Sequence, residues 1–571
     1  MKLLEHFKEL SLHPNNTEEL KGLILQLAVQ GKLTVNWREA NPDAEPATLL
    51  IEKIEAEKNK LIKEKRLKKN KKLDEIQESE KYFILPDSWS WVRLGNIGNI
   101  FNGDSVNKSV KMAKYTGLEN GYPYIATKDV GYGFDKIDHH NGVRIPFNEP
   151  KFKVARKGTV LICSEGGSAG KKMGLLEEDC CFGNKLYALE QYGGIESLYI
   201  LSFYGATSFS KAFQTKMTGI IGGISKNNFS SLLIPIPPLE EQKAIVEMVK
   251  QLFTEIEQLE SLTKERIQLK ESFVVSALNK LTEAENTQQE WNFLQQHFSS
   301  FFTEKKNIKS LRETILQLAV QGKLTEGWRV NNPNIEPASE LLRRIEAEKQ
   351  QLIAEKKIKK EKPLSAVGED EMPYELPKGW VWCRIQDVCS KVTDGFHHTP
   401  KKQSNGVKYI SATHIKDQGV IWDECLFIGQ DEHNELFKKA KQGKGDVLIV
   451  NRGAGCGTPA LVDIDEPFSF QNAALIGFNQ SFVSPRYMNM FILKQRTEIM
   501  EYFTNGGAQP MLSNKMLKTL LFPFPPAEEQ QAIVEKVNSL MALCDELEQQ
   551  IETSNIQIEQ LMQSCVAEAL A

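Results

Sequence analysis

The most chemically suggestive stretch of this chain is Glu165-Gly-Gly-Ser-Ala-Gly-Lys-Lys172. A glycine-rich turn running into a lysine is the outline of a phosphate loop, whose backbone N–H groups and lysine surround a nucleotide's phosphates. The outline is not completed. Glu165 stands where the first glycine is required, and Lys172 where a Ser or Thr should follow the lysine. The stretch reads instead as a tight turn presenting two lysines. His139-His140 and His397-His398 fall in loops and lack the i, i+4 spacing that places two imidazoles on one helical face for a metal. The nine cysteines are odd in number and include no Cys-x-x-Cys pair, so neither zinc nor a disulfide framework is expected. Asn41-Pro42-Asp43 and Asn332-Pro333-Asn334 share only two residues with the Asn/Asp-Pro-Pro-aromatic motif of amino-methyltransferases, and sit in turns between helices. No nucleophile–base group is specified by spacing. A chain of 571 residues without a reaction centre reads as a binding protein.

Basic side chains supply the alternative chemistry. In the first half they gather at Lys108, Lys111 and Lys114; at Lys128; at Lys151, Lys153, Arg156 and Lys157; and at Lys171-Lys172. In the second half they gather at Lys401-Lys402, Lys416, Lys438, Lys439, Lys441, Lys444 and Arg452. Lysine and arginine neutralise phosphates, while nearby polar and aromatic side chains read base edges. The candidate DNA contacts are therefore Lys108, Lys111, Lys114, Lys128, Arg156, Lys157, Lys171, Lys172, Lys401, Lys402, Lys416, Lys438, Lys441 and Arg452. Each cluster taken alone is more often a solvated surface. The net charge of −4 does not by itself announce a nucleic-acid binder, so the argument rests on local charge and on architecture.

That architecture is a duplication. Ile24 to Thr34 reads ILQLAVQGKLT and Ile315 to Thr325 repeats it, an offset of 315 − 24 = 291. Trp37, Asn41-Pro42, Glu45-Pro46, Ile54–Lys58, Leu85-Pro86, Trp89, Trp91 and Arg93 return as Trp328, Asn332-Pro333, Glu336-Pro337, Ile345–Lys349, Leu376-Pro377, Trp380, Trp382 and Arg384. Pro235-Ile-Pro-Pro-Leu-Glu-Glu-Gln242 returns as Pro523-Phe-Pro-Pro-Ala-Glu-Glu-Gln530, offset by 523 − 235 = 288. Two copies of one unit suit a pseudo-two-fold object.

Each copy has three parts. A helical arm (1–81, then 309–373) has its first helix ended by Gly31 or Gly322, and closes on a basic run, Lys63–Lys72 or Lys356–Lys362. A mixed segment (82–235, then 374–523) carries β-branched runs at Tyr122–Ala126, Gly158–Cys163, Lys408–Ser411 and Asp446–Val450, which predict strands. It ends in a Gly-rich turn, Gly219–Gly223 or Asn505–Gly507. A long helix follows each Pro stop (236–308 with a linker, then 524–571). The seam Ile533, Val537, Leu540, Cys544, Leu547, Ile551, Ser554, Ile558, Leu561, Cys565 alternates steps of four and three. Ile245, Val249, Leu252, Ile256 and Leu259 begin the same pattern, which weakens at Thr263 and Arg266. The expected fold class is α+β: two mixed domains separated by two long helices that pair antiparallel within the chain, a coiled coil between chains being the alternative. The mixed segments are the least alike parts of the two halves, which suggests two readers of different texts on one frame. No apolar run is long enough to span a bilayer, and a cytoplasmic protein is expected.

The ordered set of motifs, present twice, resembles the specificity subunit of type I restriction–modification systems (HsdS), over essentially the whole chain. The resemblance implies two target-recognition domains, each reading half of an asymmetric bipartite site in double-stranded DNA, with the long helices setting the unread gap. It implies two methyltransferase subunits and two restriction subunits as partners. S-adenosylmethionine, ATP and Mg are then expected on those partners and no cofactor on this chain. It also implies that this chain is not itself an enzyme. The competing reading is a non-catalytic coiled-coil adaptor whose mixed domains bind protein.

Overall fold

A computed structural model describes residues 17–68, 73–218, 222–284, 286–453, 455–504 and 511–570. The basic residues Lys69, Lys71 and Lys72, the turn residues Gly219–Ile221 and the turn Asn505–Gly507 lie outside the described residues. The chain divides into two compact units, one formed by the chain up to Ile267 together with the stretch from Asn555 onward, the other by Gln268–Ser554.

In the first unit, helices α1 (Thr17–Val29) and α2 (Ala47–Lys63) form the arm. Gly31 ends α1 in the left-handed region, φ 71°, where glycine has no Cβ penalty. A Cβ there would also sit 2.8 Å from Cγ of Pro86, so the close approach of the Leu-Pro motif needs the glycine as well. The mixed segment is tied shut at its two ends: Ser90–Arg93 pairs antiparallel with Leu233–Ile236. Between them lie two four-stranded sheets. The first has the order Gly98–Asn102, Leu186–Gln191, Val160–Cys163, Met173–Leu175. The second has the order Arg144–Ile145, Tyr122–Ile125, Cys180–Phe182, Val154–Ala155, with a parallel pair at its centre.

The strand Val160–Cys163 shows why this segment needs a continuous apolar run. Side chains alternate across a strand. Val160 and Ile162 pack on one side with α3 (Ser197–Gly205) and α4 (Thr207–Thr215). Leu161 and Cys163 pack on the other side with Ile125, Cys180 and Phe182 of the second sheet. The long helix α5 (Leu239–Glu283) follows the Pro stop. Its Ile245, Val246, Val249, Phe253 and Ile256 belong to the same core as α1 and α3, and so do Met562 and Cys565 from the end of the chain.

The second unit repeats this plan. The linker helix α6 (Thr287–Gln296) leads to α7 (Lys305–Val320) and α8 (Ala338–Ala354), the arm. The expected boundary at 309 falls inside α7. Gly322 ends that helix at φ 70°, its Cβ position 2.6 Å from Cγ of Pro377. Val381–Arg384 pairs with Leu521–Phe524. The first sheet has the same order, Lys391–Asp394, Ala473–Gly477, Val447–Val450, Pro459–Leu461. Val447 and Ile449 face the helices while Leu448 and Val450 face the second sheet, as in the first unit. The second sheets share the parallel pair, here Val407–Ser411 with Phe468–Gln471. Around it they differ. The second unit adds a hairpin, Ile415–Lys416 with Gly419–Val420, and α9 (Gln430–Ala440). The first unit has instead a short helical stretch at Lys108–Val110 and Lys111–Tyr115. Helix α10 (Pro485–Thr504) and the long helix α11 (Ala527–Leu570) as far as Ser554 complete the unit.

The seams of the long helices are less uniform than their spacing suggests. Ile533, Val537, Leu540, Cys544 and Leu547 are buried in the second unit's core, which also holds Val274, Leu278 and Leu281 of α5. In each unit, therefore, one stretch of α5 shares a core with the opposite end of α11, the antiparallel arrangement. Leu252, Leu259, Ile551, Ile558 and Leu561 are only half-buried, and Ser554 and Arg266 are exposed. Phe253 takes the buried place beside Leu252 because this stretch of α5 packs on a globular domain rather than on a helix alone, and a wider apolar face is then covered.

Candidate nucleic-acid interface

The repeated motifs converge on one buried carboxylate in each unit. Glu241, in the first turn of α5, is 0% exposed. Its Oε1 accepts from Thr34 Oγ1 at 2.7 Å and from Arg38 Nη1 at 2.5 Å, and its Oε2 accepts from Trp89 Nε1 at 2.7 Å. Glu529 repeats the set with Thr325 Oγ1 at 2.7 Å, Arg329 Nη1 at 2.6 Å and Trp380 Nε1 at 2.8 Å. Each arginine also donates to the helix-ending glycine, Gly31 O or Gly322 O, both at 2.7 Å. A buried carboxylate persists only when its oxygens are satisfied, and here the arm supplies two donors and the tryptophan before the entry strand a third, while the long helix supplies the acceptor.

The next residue locks the mixed segment to the same helix. Gln242 accepts from Glu196 N at 3.0 Å and donates to Pro237 O at 3.0 Å; Gln530 accepts from Ser484 N at 2.7 Å and donates to Pro525 O at 3.1 Å. A third repeated node closes the entry. Arg93 donates to Glu80 at 2.9 Å and to the carbonyls of Asp74, Glu75 and Ser231. Arg384 donates to Glu371 at 2.8 Å and to the carbonyls of Ser365 and Thr519. The hydrogen bonds from these arginines hold both glutamates below the usual carboxylate range. Sequence reasoning noted the repeated Trp, Arg and Glu positions without assigning them a job. Their signal was repetition at polar positions, which a solvated surface does not require.

The basic candidates sort by their place on the central strand. The turn Glu165–Lys172 lies at one end of Val160–Cys163, and Arg156 and Lys157, both exposed, lie at the other. That other end adjoins the frame, since Gly158 O accepts from Ser197 Oγ at 2.7 Å. Lys171 is exposed; Lys172 is half-buried, donates to Thr127 O at 3.3 Å and lies over the Tyr132 ring at 5.4 Å. Lys128 is exposed beside Asp129, 3.4 Å away. Lys108 and Lys114 are exposed and Lys111 half-buried on the short helical stretch, whose Tyr115 packs edge-on against Phe152.

In the second unit Arg452 holds the place of Glu165, two residues past the central strand, while Lys441 sits at the strand's other end in the left-handed region, φ 44°. Lys438 is exposed on α9, and Lys401 and Lys402 are exposed next to it, the Lys401 N–H reaching Glu432 at 2.9 Å. Lys416 is exposed on the added hairpin, whose Asp417 pairs with Arg496 at 2.6 Å. The fold thus gathers Lys171 and Lys172 at one strand end and sets Arg156 and Lys157 apart from them. The arms' basic ends match each other: Lys65 and Lys356 both cap their helices with positive φ, 57° and 58°.

Most of the cysteines, and one of the paired histidines, are packed in the interior. Among the described residues all nine cysteines are free and eight are buried, and burial pushes the Cys181 thiol up to about 12. His139 is buried with Nδ1 2.9 Å from Ile137 O. No helix among the described residues is long and apolar enough to cross a membrane.

Comparison with known proteins finds the same duplication in sequence. A family profile described as "Type I restriction modification DNA specificity domain" matches residues 86–271 and 377–559, one copy in each half. The chain is 31% identical over 555 residues to the type I restriction enzyme EcoAI specificity subunit of Escherichia coli, covering 94% of this chain and 91% of that one. It is 29% identical over 563 residues to the EcoEI specificity subunit of the same species, with the same coverages of 94% and 91%. The crystal structure of an HsdS subunit from Thermoanaerobacter tengcongensis aligns over 86% of this chain and 99% of that one, at 16% identity and TM-score 0.41. Two copies of the family's domain and a relative similar along almost the full length place this chain among the DNA-recognition, non-catalytic components of such systems: it belongs to the family of type I restriction–modification specificity subunits.

Proposed function

We propose that this chain reads an asymmetric two-part site in double-stranded DNA, one part with each mixed segment, and that its repeated frame carries the methyltransferase and restriction subunits of a cytoplasmic complex. Two of each partner match the frame's two copies. S-adenosylmethionine, ATP and Mg belong to those partners, and this chain's part is recognition. Lysines among the candidates named above supply phosphate contacts, and the turns and loops that carry them supply base contacts.

One observation carries this reading. Glu241 and Glu529 organise two closely matching buried clamps, and each clamp presents a segment with the same first sheet and a differently built second sheet. A shared frame with unlike inserts is what two unlike half-sites ask for, whereas a single symmetric target would favour like inserts.

The test exploits the paired strands at the segment's mouth. Residues 94–232, between Arg93 and Leu233, are exchanged for the corresponding segment of another family member. The full chain with its methyltransferase subunits is then used to select from a random double-stranded DNA library. The expected result is a change confined to one half-site. Selection of no sequence by the parent complex, or a change in both half-sites, overturns the reading.

A further inference from the structure

The turn that resembled a phosphate loop has a counterpart that sequence comparison of the halves did not reveal. Glu165-Gly166 follows the buried strand Val160–Cys163 after one residue, and Arg452-Gly453 follows Val447–Val450 in the same way. Gly166 has φ 84° and Gly453 φ 86°. Each turn closes at a second left-handed glycine, Gly170 or Gly457, whose N–H donates back to the strand's last carbonyl, Cys163 O or Val450 O, both at 2.8 Å. A downstream segment braces each turn, through Gly166 N to Gly222 O at 2.8 Å and through Leu512 N to Asn451 O at 2.9 Å. The turns match at these described residues, and the first side chain of the turn is an acid in one unit and a guanidinium in the other.

Neither side chain has a structural task. Glu165 and Arg452 are both exposed, and among the described residues neither makes an ion pair or a side-chain hydrogen bond. Yet Glu165 lies in a turn that also carries Lys171 and Lys172, and Ser164 beside it is bonded through its N–H to Lys185 O at 2.8 Å. Space around the turns is open: a Cβ on Gly166, Gly167 or Gly453 would meet nothing within 4 Å. A surface that only neutralised phosphate would be weakened by a carboxylate among its lysines, because like charges repel. A carboxylate gains there only by accepting from a donor, and the donors on DNA are the exocyclic amino groups of bases.

On the reading that both segments bind DNA, we infer that these two turns read bases of opposite hydrogen-bonding character. Arg452 donates its two parallel N–H groups to the O6 and N7 acceptors of guanine in one half-site. Glu165 accepts from the amino group of cytosine or adenine in the other, with Lys171 on the adjoining phosphate. The braced backbone holds each side chain's root in place, so little ordering accompanies binding.

Glu165→Gln and Arg452→Lys separate base reading from charge alone. Glu165→Gln keeps shape and exchanges a charged acceptor for an amide. Arg452→Lys keeps the charge and loses the fork that fits guanine. Each full-length variant, with its methyltransferase subunits, selects from the random double-stranded DNA library beside the parent, and thermal unfolding checks that both fold as the parent does. Expected is a fall of about tenfold or more in base preference at one position of one half-site, a different half-site for each variant. Unchanged preference at every position with a selective parent overturns this inference and leaves the proposed function standing. So does a change at the same half-site for both variants. A parent complex that selects no sequence overturns both.

Discussion

Trp89 and Glu241 are 152 residues apart in the chain and meet at 2.7 Å, indole Nε1 donating to carboxylate Oε2. Trp380 and Glu529, 149 residues apart, meet at 2.8 Å in the same way. The difference, 152 − 149 = 3 residues, equals the change in repeat offset from 291 to 288. The mixed segment lies between the two partners of each bond. The clamp therefore accepts inserts of different length and sequence as long as their ends return to the same two strands.

Removing the clamp's acceptor should unfold the arm. Glu241→Ala leaves Thr34, Arg38 and Trp89 without their shared partner, and loss of one side of a buried ion pair costs about 3–5 kcal/mol. Hydrogen exchange should show lost protection in α1 and α2, and Glu529→Ala should show the same in α7 and α8. Unchanged protection would mean the clamp is dispensable.

The helix-ending glycines should resist substitution. Gly31→Ala places a side chain at φ 71° and against Pro86, for a cost of about 1–2 kcal/mol from the backbone alone. Gly22→Ala is the control, since its Cβ meets nothing within 4 Å and helical alanine is favoured. Equal melting temperatures for the two variants would contradict this.

Acid should loosen the entry nodes. Glu80 and Glu371 have their carboxyls held below the ordinary 4.5 by hydrogen bonds from Arg93 and Arg384. A depressed carboxylate contributes stability above its unfolded value, and that contribution is lost as pH falls through the lower folded value. The stability of Glu80→Gln/Glu371→Gln should therefore depend less steeply on pH below 4.5 than that of the parent. Denaturant melts across that range would show it, and parallel curves would refute it.

Phosphate contacts and base contacts should part company in salt. Lys171→Ala is expected to weaken binding to all sequences alike and to lower the slope of log affinity against log salt by about 1. A changed base preference with an unchanged slope would assign Lys171 to base reading instead.

The long helices should set the gap between half-sites. Seven residues added to both α5 after Ile267 and α11 after Ser554 lengthen each by about 10 Å, or about 3 base pairs of DNA. The selected site should gain that spacing with its two halves intact; an unchanged gap would remove the spacer role.

Repetition and periodicity made much of this protein legible before its fold was known. The helix-ending Gly31 and Gly322, the strands around Val160 and Val447, and the long helices after each Pro stop were all readable, because each is decided by local backbone preference or by burial along a few residues. The likeness of the ordered motifs to a known family also pointed to its role. Contacts across 150 or 200 residues of chain were not readable. Nothing local in Glu241 distinguishes it from its exposed neighbour Glu240; only the arrival of Thr34, Arg38 and Trp89 makes one a buried acceptor and the other a surface charge. The heptad seam likewise did not say that Phe253 would be buried while Leu252 stayed half-exposed, since spacing sets which face of a helix is apolar but not the width of what covers it. Nor did alignment of the halves pair Glu165 with Arg452, because that equivalence lies in backbone conformation and strand position. Local preference settles which elements form; which side chains meet is a property of the packed whole, where each group's worth depends on partners the chain brings from far away.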